Sequence, residues 1–125
     1  MMRSVALMIG AGLMPVMSVA QPSLDTEATW QAASNQLGIL QYCEEKGFTG
    51  PEAVQAQAQI MTMLPSGDEA AGTAAIEQGN QGIVAFNDQE ITLSDVAASQ
   101  GSTVEGTCQE IEPAVNDMAA NLPAG

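Results

Sequence analysis

Apolar positions recur along this chain at three- and four-residue spacings, the period of a helix that buries one face. Trp30, Ala33, Leu37, Leu40 and Cys43 trace one such face, and they predict a first helix over residues 26–46. Asp25 or Thr26 can cap its start with a side-chain oxygen. Gly47 can take the left-handed conformation that ends a helix, and Phe48 can fold back on the last turn.

Thr49-Gly50-Pro51-Glu52 then reads as a second start, with proline where its missing N–H is harmless and an acid where the helix dipole favours one. Val54, Ala58, Met61 and Leu64 predict its buried stripe. Ala53, Ala56 and Ile60 widen the apolar side enough for two neighbours, and Pro65-Ser66-Gly67 ends the helix. A weaker helix restarts at Ser66 or Asp68 and runs through residues 68–77, with Gly72 inside it and Gly79 and Gly82 beyond. Glycine within a helix costs about 1 kcal/mol against alanine. Ile83-Val84-Ala85-Phe86 has the composition of a strand, but no second run offers a clear partner, so a loop or helical turn is expected there.

Residues 91–100 predict another helix, with Leu93, Val96 and Ala97 inward and Gly101 as the stop. Ser102-Thr103-Val104-Glu105 has the form of a capping box. Beyond it Val104, Cys108, Ile111, Val115, Met118 and Leu122 recur at spacings of 4, 3, 4, 3 and 4, the cleanest period in the chain. Pro113 interrupts this run and predicts a kink or break near Glu112. The same stripe suits either burial in its own core or a seam for another helix. With no internal repeat and no long linker, the fold expected is all-α: one compact domain of four or five helices over residues 21–125.

The N-terminus changes the picture. Met1-Met2-Arg3 supplies a positive start, residues 4–17 are uncharged and largely apolar, and Ser18-Val19-Ala20 presents the small residues of a signal-peptidase site. About 14 apolar residues fall short of the roughly 20 needed to span a bilayer. Cleavage after Ala20 is expected, with the mature protein in the periplasm or secreted. Export places Cys43 and Cys108 in an oxidising compartment, where two cysteines are most simply one disulfide joining the first and last long helices.

Loss of Arg3 leaves Lys46 as the only cation against 15 acids, a net charge of −14. Nucleic acid and anionic membrane surfaces both need clustered Lys and Arg, so neither is an expected partner. The chain has no histidine, which excludes Ser–His and Cys–His nucleophile systems. The carboxylates Glu44-Glu45, Asp68-Glu69, Asp88 with Glu90, and Glu110 with Glu112 read as solvated faces. Asn87-Asp88-Gln89-Glu90 lacks the alternating acids, central glycine and distant glutamate of a calcium loop. Met61, Met63 and Met118, at helical spacing among Leu and Ile, read as core and not as copper ligands. No enzyme and no cofactor is expected. The protein is expected to act by binding another protein or itself, with Tyr42 and Lys46 as a candidate partner surface.

Gln36-Leu37-Gly38-Ile39-Leu40-Gln41-Tyr42-Cys43-Glu44-Glu45-Lys46-Gly47-Phe48, then Met63-Leu64-Pro65, then Gln100-Gly101-Ser102-Thr103-Val104 before Cys108 resembles a group of small exported alphaproteobacterial proteins. These are labelled pore-forming relatives of the early secreted antigen. The resemblance covers most of the mature chain and implies helical hairpins that associate, with a membrane activity. The chain has neither a Trp-x-Gly turn nor a basic amphipathic face. A looser resemblance, to Hde-type acid-stress chaperones, implies a periplasmic envelope-stress chaperone with one disulfide. Those proteins carry cations and closer cysteines.

Overall fold

A computed structural model describes residues 26–86 and 89–122. The expected signal segment, its cleavage site and the Asp25 cap lie outside the described residues. Five helices and one hairpin follow in order: α1 (Thr26–Glu45), α2 (Pro51–Thr62), α3 (Glu69–Asn80), β1 (Ile83–Phe86), β2 (Gln89–Thr92), α4 (Leu93–Ser99) and α5 (Val104–Ala120). A disulfide joins Cys43 on α1 to Cys108 on α5, with 5.8 Å between their Cα atoms. The fold is mostly helical, as the sequence predicts, and its first and last long helices are bolted together.

The helix ends follow their local chemistry. Gly47 has φ of +80°, its N–H donates to the Glu44 carbonyl, and the Phe48 N–H donates to the Cys43 carbonyl. That paired arrangement satisfies the last free carbonyls of α1. Gly101, with φ of +68°, ends α4 in the same way, Ser102 N–H donating to the Ala97 carbonyl. At the starts, Asp68, Thr92 and Thr103 accept from the N–H groups of Ala71, Asp95 and Gly106 at 3.0–3.1 Å. The cap of α5 is thus Thr103, one residue after the serine that the capping-box pattern favours. α5 runs unbroken through Pro113, which lies on its exposed side. The expected break is absent because the carbonyl that proline leaves unpaired, that of Gln109, lies on a residue that is itself exposed.

α1 is the axis around which the rest is built. α2 returns antiparallel to it: Gln57 donates to the Ala33 carbonyl at 2.9 Å, and Leu40 packs with Ala53, Ala56 and Ile60. α5 covers the same cluster with Val115, flanked by Ile111, Ala119 and Leu122. The buried face of α2 is therefore Ala53, Ala56, Gln57 and Ile60, while Ala58 is exposed and Val54, Met61 and Leu64 are half-buried. The expected stripe is rotated by about one position, because α2 lies between α1 and α5 and its smallest side chains face both.

α3 lies parallel to α1. A Cβ added at Gly72 would meet the Trp30 ring at 2.7 Å, and one at Gly79 would meet the Ile39 nitrogen at 2.6 Å. A Cβ at Gly38 would collide with the Ile76 carbonyl oxygen. Of the glycines that weaken the helix signal, Gly79 lies where two backbones meet and Gly72 makes room for the Trp30 ring and the Ser34 hydroxyl. The N-terminal ends are tied as well, the Trp30 indole N–H donating to the Asp68 carbonyl and the Asp68 N–H to the Glu27 carboxylate.

The expectation of a loop at Ile83–Phe86 is overturned. These residues pair antiparallel with Gln89–Thr92, Phe86 opposite Gln89 and Ile83 opposite Thr92. The partner strand lies two residues ahead, in a run that also resembles a helix start. Its last residue, Thr92, caps α4. Asn35 closes the other edge of β1. Its side-chain amide donates to the carbonyls of Ala75 (3.1 Å) and Ile83 (2.9 Å), and its oxygen accepts from the Ala85 N–H (3.1 Å). One buried side chain thus joins α1, α3 and the hairpin, and supplies what a third strand would.

Candidate functional site

A second apolar cluster forms around the disulfide, where Ile39, Cys43, Leu93 and Cys108 are buried beneath Val84, Val104 and Ile111. Over part of it the helices do not close. A cleft of about 550 Å³ opens between α1, β1, α4 and α5. α1 contributes Gln36 and Ile39, α4 contributes Leu93 and Val96 with Gln100 just past its end, and β1 contributes Val84. α5 forms the long wall, from Thr107 through Glu110, Ile111, Ala114 and Val115 to Met118.

The wall exists because the stripe Cys108, Ile111, Val115, Met118, Leu122 is longer than the element packed against it. α4 has only seven residues. It covers the start of α5 and leaves the later turns uncovered on that side; Val115 is buried against α1 and α2 instead, while Met118 is 57% exposed. Cys108 and Val115 of this stripe belong to the core, Leu122 packs against it, and Met118 stands exposed at the rim of the cleft. Thr107, 6% exposed, lines the cleft, and its Oγ1 has no hydrogen-bond partner among the described residues.

Tyr42 and Lys46 lie elsewhere. Lys46 Nζ sits 5.4 Å from the centre of the Tyr42 ring, an attraction between a cation and the ring face one helical turn apart. Tyr42 packs at the Gly82 turn, where an added Cβ would stand 3.3 Å from the ring. Together with Gln41, Glu45 and Asn80 it borders a small polar niche that shares no residue with the cleft.

Asp88 lies outside the described residues, and among those described the carboxylate clusters do not converge. Glu90 accepts from the Gln78 amide at 2.7 Å, Glu112 accepts from the Gly50 N–H at the start of α2 at 3.0 Å, and Glu110 lines the cleft. Among the described residues no three His, Cys, Asp or Glu side chains gather as a metal site would require. The methionines depart from expectation: Met63 is 50% exposed just past α2 and Met118 lies at the rim, so only Met61 is partly enclosed. No helix among the described residues is long and apolar enough to cross a membrane.

Sequence reasoning missed the cleft. Its signal was a mismatch of lengths: an apolar stripe of 19 residues on α5 and its extension, against a short neighbour ended by Gly101. The chain matches no protein-family model, no curated protein and no solved structure.

Proposed function

We propose that this is a small exported protein that acts without catalysis, by holding a segment of another protein in the cleft along α5. The observation that carries the reading is the cleft itself, walled by Ile39, Val84, Val96, Ile111 and Val115 with Met118 exposed at its edge. Its volume falls within the range of roughly 300–1,000 Å³ typical of binding sites. An exposed methionine beside an apolar groove suits it to adaptable packing against a partner. The absence of histidine from the sequence supports a non-catalytic role. The N-terminal pattern and the disulfide support export to the periplasm or beyond.

A photo-crosslinking residue placed at Ala114 in the exported protein tests this in cells. A defined adduct is expected from that position, and none from the same residue placed at Glu69, which is exposed and lies outside the cleft. Met118→Asp should abolish the adduct without lowering the yield of folded protein. An adduct of twice the chain's mass would assign the cleft to self-association. Equal labelling at both positions, or none at either, overturns the proposal.

A further inference from the structure

We propose that the occupant of the cleft is a basic amphipathic helix of about three turns. This rests on the reading of the cleft as a protein-binding site and adds the chemistry of its partner.

The geometry sets the length. The wall on α5 extends from Thr107 to Met118, about 17 Å at the helical rise of 1.5 Å per residue. A helix laid along it would present apolar positions at i, i+3, i+4 and i+7 to Ile111, Ala114, Val96 and Met118. An extended peptide would leave its backbone groups unpaired against these side chains, whereas a helix satisfies its own.

The charge sets the sign. Glu110 lines the cleft, and Asp117, seven residues on and therefore on the same face of α5, is exposed just before Met118 in sequence. Asp95, which precedes Val96 in sequence, is also exposed but does not line the cleft. No cation lines the cleft. Lys46, the one cation among the described residues, is engaged over Tyr42. An apolar floor with an acid on its α5 wall, in a chain with 15 acids and two cations, is complementary to a helix with an apolar face flanked by Lys or Arg. The same field opposes a second copy of this chain, which carries the same excess of acids.

The test uses the disulfide-intact protein and three synthetic peptides of about 14 residues, long enough to cover the wall. One is an amphipathic Leu/Lys helix, one replaces each Lys with Glu, and one scrambles the Leu/Lys order. Affinities come from fluorescence anisotropy and the site from amide chemical-shift changes. The Leu/Lys helix should bind with shifts at Val96, Ile111 and Met118, and at least about tenfold more tightly than either control. Glu110→Gln with Asp117→Asn should weaken it about tenfold and reduce its salt dependence, while Glu69→Gln should leave it unchanged. Met118→Asp should abolish it. Equal binding of the Leu/Glu peptide in the cleft would overturn the basic partner and leave the protein-binding site standing. Loss of affinity in Glu69→Gln equal to that in the rim variant would reveal general attraction to an acidic surface and overturn the proposal. Absence of any peptide shift in the cleft overturns it too, and joined to a negative crosslinking result would remove both readings. Preference for zwitterionic lipid vesicles over all three peptides would assign the cleft to a membrane surface and refute the helix.

Discussion

Replacing Gly38 by alanine sets two opposing effects against each other, and the seam between α1 and α3 decides which wins. In an isolated helix the change would stabilise by about 1 kcal/mol. Here the new methyl would land on the Ile76 carbonyl oxygen, with the Ile76 carbonyl carbon at 2.9 Å and the Gly79 Cα at 3.0 Å. All three atoms are backbone, so no side chain can turn aside. Carbon contacts settle at about 3.5–4.0 Å, so the helices must part by roughly 1 Å. Overpacking of this kind costs about 1–3 kcal/mol. Parting also stretches the Asn35 hydrogen bonds to Ala75 and Ile83, each worth about 1 kcal/mol. The expected net loss is about 2–4 kcal/mol, or roughly 10–25 °C in Tm for a domain of this size. Urea unfolding followed by far-UV circular dichroism and by Trp30 fluorescence measures it. Gly47→Ala is the reference, since no atom lies within 4 Å of its added Cβ, and the change there strains only a left-handed backbone, by about 1 kcal/mol. A Gly38→Ala protein as stable as the parent, or more stable, would refute the close seam.

Asn35→Ala removes three hydrogen bonds at once. We expect a loss of about 2–4 kcal/mol, with hydrogen exchange at the Ala85 amide accelerating more than exchange in α5; uniform acceleration would contradict the local role. Reduction of Cys43–Cys108, which spans 65 positions, should lower stability by about 4 kcal/mol by the chain-entropy argument. Mass spectrometry with thiol labelling should find both thiols protected until a reductant is added. Pro113→Ala should stabilise by about 2 kcal/mol, since it restores an interior helical hydrogen bond at an exposed position; a neutral result would mean that α5 has already relaxed around the ring.

The helices were legible wherever a local rule was sufficient. Gly47 and Gly101 end α1 and α4 because a left-handed residue is a local need, and the disulfide followed from there being only two cysteines. What stayed hidden was pairwise. The penalty for Gly72 and Gly79 can be read from one helix, but their purpose needs the second: Gly72 admits the Trp30 ring and Gly79 the backbone of α1. Asn35 looks like an ordinary polar residue on a helix until a strand edge is placed beside it. Ile83–Phe86 lacked a visible partner because Gln89-Glu90-Ile91-Thr92 is exposed at every position and carries no apolar alternation to announce a strand. The cleft was hidden for a similar reason: it arises from a difference in length between α4 and α5, and no single residue records it.

The disulfide has a consequence for survival among proteases. Between Cys43 and Cys108 lie α2, α3, the hairpin and α4. A single cut in the connection at residues 63–68, where Met63, Pro65 and Ser66 are exposed, would leave two pieces still joined covalently. Both halves of the cleft are held at that joint, Ile39 four residues before Cys43 and Ile111 three after Cys108. A nicked molecule would therefore keep the two walls of its groove together, and cleavage alone would not part them until a reductant reached the bond.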